Sequence, residues 1–298
     1  MRAVGEWEQV VNEFESLRPL LFGIAYRMLG SAMEAEDMLQ EAYLRWTAID
    51  PAEVRSPRAY LTKLVTNLCL DQLKTARERR ELYPGEWLPE PVVTPLTLDE
   101  PMEHAIEVES LSMAFLLLLE HLTPVERAVF LLREVFDYSY KEIAETIGKS
   151  EAAARQVLHR AKQTVHASRR PPMTSLAEHQ QVFGEFLQAV SAGDLPRVMA
   201  LMSSDVVTVS DGGGKAPAAI HPIVGGAASA RFIMGLRKRA PEGTRFEIAI
   251  LNGAPALLVY ANDTLETAIL LNVEAGRIRN LYFVRNPDKL HLKPLPTL

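Results

Sequence analysis

The sequence predicts a multidomain protein in which two all-α domains, the second with a helix-turn-helix, precede a C-terminal α+β domain. Helix-start signals and apolar residues at helical spacing run through the first 170 residues. Residues 81–101 then hold five prolines and one glycine, which favours an extended linker. Beyond residue 173, two helical segments precede five strand-like runs. The predicted parts are a domain over 1–80, an acidic linker over 81–108, a domain over 109–170 and a domain over 174–298.

Composition restricts the class of protein. Of 298 residues, 48% are hydrophobic, enough for several buried cores. The single cysteine, Cys69, excludes an intramolecular disulfide and a multi-cysteine metal site, and it fits a reducing compartment. The N-terminus lacks the apolar segment of a signal peptide, and the run "AFLLLL" (114–119) is too short to span a bilayer. We therefore expect a cytoplasmic protein with no membrane contact, no metal and no cofactor.

Charge is distributed unevenly along the chain, although the net charge is only −6. Residues 55–80 carry seven basic residues and residues 149–170 carry six. Between these two basic blocks, residues 81–126 carry ten acidic residues and no Lys or Arg. This pattern indicates two surfaces suited to nucleic acid, separated by an acidic segment.

The first helical domain shows an acidic helix followed by a basic one. In "AEDMLQEAYLRW" (35–46) the polar candidates are Asp37, Gln40 and Glu41. Asp37 and Glu41 form an unfavourable i,i+4 like-charge pair, which suggests an external partner, although a plain amphipathic helix is the simpler interpretation. The next helix, 57–77, carries Tyr60, Lys63, Asn67, Lys74 and Arg77 on roughly one side. That face suits single-stranded bases, and a solvated helix explains it equally well.

Residues 122–165 form the clearest local pattern, a helix-turn-helix. Capping boxes "TPVE" (123–126) and "SYKE" (139–142) start two helices. The second of them ends at Gly148, and Ser150 caps the next helix after a three-residue turn. The predicted core stripe of that last helix is Ala154, Val157, Leu158, Ala161 and Val165. Its candidates for contact with base edges and phosphates are Ser150, Arg155, Gln156, His159, Arg160 and Lys162. The alternative is a helical hairpin with a solvated basic face.

The C-terminal part predicts two helices and a meander of strands. "SLAE" (175–178) caps a helix that runs to about Ala192, and a second helix covers roughly 195–202. Val, Ile, Leu and aromatic residues then dominate "DVVTVSD", "RFEIAIL", "ALLVYAN", "TAILLNV" and "IRNLYFVR". The segments "NG" (252–253) and "EAG" (274–276) are the expected turns of an antiparallel meander.

In their order and spacing, these helical segments resemble the two conserved domains of extracytoplasmic-function sigma factors, the promoter-specificity subunits of bacterial RNA polymerase. The resemblance covers residues 8–170. It implies that Asp37, Gln40 and Glu41 dock on the polymerase. It implies that the minus-ten element is read and melted by Arg58, Tyr60, Lys63 and Asn67, to which the basic helix face adds Arg77. Residues 150–162 would read the minus-thirty-five element.

Three motifs resemble the SigJ-like subgroup of these sigma factors, which has a C-terminal SnoaL-like cone. They are "WLPEP" (87–91), "DGGGK" (211–215) and "NPDKL" (286–290). The resemblance implies regulation by the C-terminal domain in place of a separate anti-sigma protein, with core RNA polymerase and promoter DNA as partners. The acidic linker would then imitate a polyanion in the basic channels of the polymerase, the alternative being a solvated tether.

The "DGGGK" loop is not expected to bind phosphate. A P-loop needs Ser or Thr after its lysine and a helix starting there, whereas "APAA" follows Lys215. We expect the loop to receive the "WLPEP" or "NPDKL" segment, because glycines permit a close backbone approach; a flexible connection is the alternative. The predicted regulatory residues are Trp87, Leu88, Pro89, Asp211, Gly212, Gly213, Gly214, Lys215, Asn286, Pro287 and Asp288.

The sequence is also compatible with other functions. The C-terminal domain could sense a small ligand, or act as an isomerase-like or cyclase-like enzyme with His221, Asp263 or Glu266 as acid or base. The chain could also be a repressor that binds duplex DNA without polymerase. No catalytic residue is expected, because Asp263 lies in a predicted turn and the other two are candidates only by residue type.

Overall fold

The computed structural model describes residues 4–50, 54–94, 110–167 and 174–295. They divide into two compact units: residues up to 81 with 118–167 form one, and residues 82–117 with 174–294 form the other. This division differs from the predicted domain boundaries, because residues 82–94 and 110–117 belong with the C-terminal domain. The predicted helix start near Met102 lies outside the described residues.

Three helices make the first part of the helical unit: α1 (Val4–Leu29), α2 (Ala32–Ala48) and α3 (Pro57–Glu81). Ser31 caps α2 by accepting a hydrogen bond from the Glu34 amide at 3.2 Å. Trp46 is buried and donates its indole N–H to the Val10 carbonyl at 2.9 Å. Cys69 is also buried, and that burial raises the pKa of its thiol, as fits a core residue rather than a reactive one.

The second part contains the helix-turn-helix. It is preceded by helix α4 (Met113–Leu119), whose residues 113–117 belong to the other unit, and it consists of α5 (Pro124–Glu134), α6 (Tyr140–Ile147) and α7 (Glu151–Ala167). Reciprocal capping boxes start α5 and α6, as predicted. Gly148 ends α6 at φ 65°, a conformation that a residue with a Cβ adopts only at a cost. The predicted core stripe of α7 is buried.

The C-terminal unit is α+β, as predicted. Its helices are α8 (Leu176–Ala192), α9 (Leu195–Ala200) and α10 (Gly226–Arg239). The strands are β1 (Met202–Asp211), β2 (Ile223–Val224), β3 (Arg245–Leu251), β4 (Ala254–Ala261), β5 (Thr264–Glu274) and β6 (Arg277–Val284). They form one sheet in the order β2-β1-β6-β5-β4-β3.

Two features of the sheet differ from the prediction. Strands β3 to β6 form the expected antiparallel meander, but β1 pairs with β6 in parallel, with Asp211 opposite Val284. The second difference is α10, which lies in the connection from β1 to β6. The sequence pattern did not reveal this helix, because the helix has internal glycines and is preceded by Gly225, which provides no side-chain cap. The parallel pairing places the end of β1 beside the end of β6, so the "DGGGK" and "NPDKL" motifs leave the sheet together.

Each face of the sheet has its own core. The first contains residues of the helices and the sheet, including Phe183, Phe186, Ile233 and Phe283. The second contains Leu88 and Met113, which pack on sheet residues such as Leu258, Leu270 and Tyr282. Leu88 therefore places the described part of the linker in a folded core, so that part is not a solvated tether. In the part of the chain that the structure describes, no helix is long and apolar enough to cross a membrane.

Candidate functional site

The end of β1 holds a buried carboxylate, Asp211, which is 0% exposed. Its Oδ1 accepts hydrogen bonds from the Tyr83 hydroxyl at 2.7 Å and the Gly213 amide at 3.0 Å. Its Oδ2 accepts one from the Leu88 amide at 2.9 Å and one from Lys289 Nζ at 2.7 Å. One carboxylate thus connects the linker, the glycine loop and the segment after β6.

Lys289 is the positive partner of this carboxylate. Its Nζ also donates to the Leu88 carbonyl at 2.6 Å and lies 4.9 and 4.4 Å from the ring centroids of Tyr83 and Trp87. Two aromatic faces, a carboxylate and a carbonyl therefore surround an ammonium group that is largely removed from water. A buried ion pair of this kind needs all of its partners, because an unpaired charge in such a place is costly.

Asn286 closes the arrangement. Its Nδ2 donates to the Tyr83 hydroxyl at 2.8 Å, and its Oδ1 accepts from the Asp288 amide at 3.1 Å. The pKa of Tyr83 is raised, mainly by burial and then by the hydrogen bond to Asp211 and the negative charge of that carboxylate. We call this set the Asp211 cluster; its members are Tyr83, Trp87, Leu88, Asp211, Gly213, Asn286 and Lys289.

The glycine loop has steric reasons for its composition. Gly213 has φ 59°, and a Cβ there would lie 2.5 Å from Cγ of Asn286. Gly214 has φ 70°, and its Cβ would lie 2.7 Å from Cγ of Pro84. A Cβ on Gly212 would meet the carbonyl of Ala216. The loop receives the linker and the "NPDKL" segment together, and Lys215 forms an ion pair with Asp288.

The acidic helix presents a mixed surface. Asp37 and Gln40 are exposed, and so are the apolar residues Met33 (48%) and Leu44 (63%). These four residues follow i, i+4, i+7, i+11 spacing, so they line one face of α2. Glu41 is different, because Arg45 Nε lies 2.7 Å from its carboxylate. The unfavourable Asp37–Glu41 pair is therefore compensated within α2, and it is no argument for an external partner.

The predicted minus-ten residues lie on α3 in different environments. Lys63 is exposed, whereas Tyr60 packs on Trp46 with ring centroids 5.9 Å apart. Arg58 and Asn67 both contact the helix-turn-helix domain: Arg58 Nε lies 3.5 Å from the Tyr138 hydroxyl, and Asn67 donates Nδ2 to the Thr146 carbonyl at 3.3 Å. Arg77 lies within α3, and its side chain is outside the described part of the chain.

The predicted minus-thirty-five residues line α7. Ser150 caps the helix, with Oγ accepting from the Ala153 amide at 3.2 Å. Arg155 is exposed, stacks 4.1 Å from the Tyr140 ring centroid and pairs with Glu151. Arg160 and Lys162 pair with α5 carboxylates, Glu126 at 3.4 Å and Glu134 at 2.9 Å.

Two further residues of that set remain on the α7 surface. His159 lies 3.1 Å from Gln163. Gln156 lines a groove of about 320 Å³ beside Thr123, Lys149 and Arg160. Lys162 is held against α5 by Glu134, whereas Arg155, Gln156 and His159 are exposed on the surface of α7.

The structure does not gather the enzyme candidates. His221, Asp263 and Glu266 are exposed, and Asp263 lies in a turn at φ 60°. Among the described residues, none of the His, Cys, Asp and Glu side chains cluster as metal ligands would. The buried histidine of this domain is His179, whose Nε2 lies 3.0 Å from the Leu271 carbonyl and whose pKa is lowered by burial.

Sequence reasoning missed Tyr83, which precedes "WLPEP", and Lys289, which is the fourth residue of "NPDKL". For Lys289 the available signal was a lysine in a segment that leaves a buried strand. Sequence reasoning also missed Thr62 and Tyr138, which are buried polar residues. Their hydroxyl oxygens lie 2.7 Å apart. No local pattern could have revealed this contact, because it joins α3 to the turn before α6.

Comparisons with known proteins agree with this geometry. Residues 14–79 match the family described as Sigma-70 region 2, and residues 112–165 match Sigma-70, region 4. The chain is 40% identical to the ECF RNA polymerase sigma factor SigJ of Mycobacterium tuberculosis, over 96% of this chain and 94% of that protein. It is 30% identical to the probable ECF sigma factor SigI of the same species, over 96% and 97% of the two chains.

A solved structure extends the similarity to the whole fold. The crystal structure of Mycobacterium tuberculosis SigJ aligns with a TM-score of 0.76 at 36% identity, covering 96% of this chain and 99% of that chain. The alignment includes the C-terminal α+β domain as well as the two helical domains. The chain therefore belongs to the ECF RNA polymerase sigma factor family.

Proposed function

We propose that this protein is an alternative sigma factor that binds core RNA polymerase and promoter DNA, and that its C-terminal domain regulates it in cis. The family assignment supports the first part. The second rests on a single observation: the Asp211 cluster binds the chain that connects the two sigma domains. Because this domain is covalently attached, no separate anti-sigma protein is needed for such control, and no catalysis is invoked.

The exposed strip of α2 is the proposed docking surface for polymerase. Met33 and Leu44 are large apolar side chains that expose 48% and 63% of their surface, on the face that carries Asp37 and Gln40. An apolar patch flanked by polar groups is typical of a protein–protein interface. Glu41 contributes less, because Arg45 already neutralises it.

The two basic helices are the proposed DNA-reading elements. Helix α7 presents Arg155, Gln156 and His159 to solvent after a short N-terminal turn, the arrangement with which a recognition helix enters the major groove. Helix α3 offers Lys63, Arg58 and Asn67 to the minus-ten element. Both contacts would act in the cytoplasm, where the polymerase is.

The regulatory role is proposed to act through the linker. Leu88 is 0% exposed in the second core of the sheet. Farther along, Asn252 forms two hydrogen bonds with the backbone of Val92. Its Oδ1 accepts from the Val92 N–H at 3.1 Å, and its backbone N–H donates to the Val92 carbonyl at 3.0 Å. Thr94 donates its amide to the Ile250 carbonyl at 3.0 Å. A linker held in this way gives the C-terminal domain control over how far the two sigma domains can separate.

Transcription with purified components tests this function. Core RNA polymerase with the full chain should initiate from a subset of a random DNA pool that core polymerase alone does not transcribe. The variant Asp211→Asn should still be retained by core polymerase in a pull-down, while its transcript yield changes. Loss of selectivity in the wild type would reject the sigma-factor function, and an unchanged yield in the variant would reject only the regulatory role.

A second candidate for the C-terminal domain is ligand sensing. Three buried polar atoms on its helix-covered side, His179 Nδ1, Thr208 Oγ1 and Ser210 Oγ, have no hydrogen-bond partner in the part of the chain that the structure describes. Buried groups of this kind usually have partners, and a small polar ligand would supply them. Thermal unfolding of wild type and Thr208→Val, screened against small metabolites, tests it: a stabilisation seen only in the wild type would support sensing.

A further inference from the structure

Strand β3 is the last strand of the sheet, and most of its outer edge has no pairing partner among the described residues. On this edge the side chains of Phe246 and Ile248 are 57% and 63% exposed. An open strand edge that carries apolar side chains readily pairs with another chain, and native proteins usually cover it. We call residues 245–249 the β3 edge and treat it as a docking surface for an extended segment.

The described part of the linker covers only the end of β3. Val93 forms an antiparallel bridge with Leu251, and the Thr94 amide donates to the Ile250 carbonyl at 3.0 Å. Successive residues of a strand direct their backbone groups to alternate sides, so the amide and carbonyl of Ile248 point to the same side as those of Ile250. The linker therefore begins an additional strand whose register is already defined at one end.

The next residues of the linker fit the β3 edge in that register. Residues 95–99 read Pro-Leu-Thr-Leu-Asp. Counted on from the observed bridge, Leu96 falls opposite Ile248 and Leu98 falls opposite Phe246. Facing residues of antiparallel strands place their side chains on the same face of the sheet, so each leucine would cover one exposed apolar side chain.

Two further positions agree with the same register. Asp99 falls opposite Arg245, an exposed residue that also pairs with Glu247, and opposite charges at facing positions stabilise a strand pair. Pro95 falls opposite Ala249, where an N–H would point away from β3, so its missing donor costs no hydrogen bond of the ladder. A shift by one residue would turn both leucines to the wrong face.

The length of the intervening chain allows this path. Residues 95–109 lie outside the described part of the chain. On either side of them, Thr94 bonds to the end of β3, and the Leu111 carbonyl accepts from Asn252 Nδ2 at 2.8 Å. The segment thus leaves and returns at one place. A strand of five residues covers about 17 Å at roughly 3.3 Å per residue. Residues 100–109 can span up to about 33 Å, which is enough to return.

We propose that residues 95–99 pair with the β3 edge as an additional antiparallel strand of the C-terminal sheet. The linker then covers β3 along its whole length instead of only at its end. Burial of Phe246 and Ile248 against Leu96 and Leu98 drives the pairing, and the backbone hydrogen bonds fix its register. The pairing also occupies an edge on which a second copy of this chain could otherwise add a strand.

A disulfide between the two segments tests the register. Thr97→Cys and Glu247→Cys would face each other with Cα atoms about 4.5 Å apart, within the range of a disulfide. Thr97→Cys with Ile248→Cys is the matched control, because its second cysteine points to the other face of the sheet. Under mild oxidation of the full chain, the first pair should form an internal disulfide at least about 10-fold faster than the second. Cys69 is buried and should not react.

The other results of this experiment have definite meanings. Equal rates for the two pairs, or no internal disulfide in either, would overturn the proposed pairing. A disulfide between two chains, seen as a dimer on a non-reducing gel, would assign the β3 edge to a second copy of the protein and would overturn it as well.

Hydrogen exchange provides a measurement that needs no cysteine. In the proposed pairing the amides of Phe246 and Ile248 are hydrogen-bonded, so they should exchange slowly in the wild type. Leu98→Asp should speed their exchange at least about 10-fold, whereas Met102→Asp, a similar change outside the paired stretch, should leave it unaltered. Rapid exchange of both amides in the wild type, or the same exchange in both variants, would contradict the pairing.

Discussion

Lys289 places its ammonium 2.7 Å from the Asp211 carboxylate, in a site where Asp211 is fully buried and Lys289 is 9% exposed. The pair lies where two neighbouring strands end, and a third segment, the linker, completes it. The contribution of the pair to stability therefore depends on three segments of the chain.

Single substitutions of this pair should be much worse than the double substitution. Asp211→Asn or Lys289→Met leaves one buried charge without its partner, which costs about 3–5 kcal/mol. The double variant removes both charges and should cost less than the sum of the two. Urea unfolding of the C-terminal unit within the full chain measures the coupling. Additive costs would mean that the two side chains act independently.

The glycine loop should tolerate alanine poorly at Gly213. Alanine there combines a left-handed φ with a clash against Asn286, so we expect a loss of at least about 2 kcal/mol. Gly184→Ala is the control: it lies in α8 with open space around it, and alanine should be neutral or stabilising. Thermal unfolding compares them, and equal midpoints would contradict the steric account of the loop.

Core polymerase binding should depend on Asp37. The substitution Asp37→Lys reverses one charge in the exposed strip of α2 and should weaken assembly without unfolding the helix. Glu15→Lys makes the same charge change on the exposed surface of α1 and should leave assembly unaffected. Retention by immobilised core polymerase distinguishes the two, and equal retention would remove α2 from the docking surface.

Promoter recognition should depend on Arg155. Arg155→Ala should cost about 1–3 kcal/mol of discrimination if the guanidinium contacts a base. Transcription from an upstream-element promoter should therefore fall, while binding to core polymerase is retained. Gln163→Ala, on the same helix and also exposed, serves as the control. Unchanged promoter activity of the arginine variant would exclude this residue from base contact.

The Asp211 cluster should lose stability in alkaline solution. The pKa of Tyr83 is raised in the folded state, so the folded protein retains a proton that the unfolded chain releases near pH 10. The stability is present below that pH and declines as the pH rises above it. Unfolding of wild type and Tyr83→Phe between pH 8 and 11 checks this: the decline should be smaller in the variant. Parallel curves would contradict it.

Local patterns predicted most of the elements, because caps and apolar spacing depend on nearby residues. The boxes at Thr123 and Ser139, the turn at Gly148 and the buried stripe of α7 were read correctly. The parallel β1–β6 pairing and α10 were not, since the first is a long-range pairing and the second lacks a capping side chain.

The candidate sites divide in the same way, into residues that local patterns predicted and residues whose role depends on long-range contacts. The "DGGGK" loop was expected to receive "WLPEP" or "NPDKL", and residues of both segments contact its Asp211: the backbone amides of Leu88 and Asn286 donate hydrogen bonds to it. Lys289 was missed because its burial depends on the fold of the linker, which no local pattern encodes. The roles in polymerase and promoter binding stay predictions, because they concern partners outside this chain.

Anchoring of the linker would also affect the effective concentration of the second sigma domain at its promoter element. Residues 82–94, if released, could extend by roughly 45 Å at about 3.5 Å per residue. While they are held on the sheet, that length is not available to the second sigma domain as it searches for its promoter element. Two-site binding weakens roughly as the −3/2 power of tether length once the tether exceeds the span, and fails when the tether is too short. Under the proposed function, the Asp211 cluster would therefore set the tether length, and with it the avidity of the protein for two-part promoters.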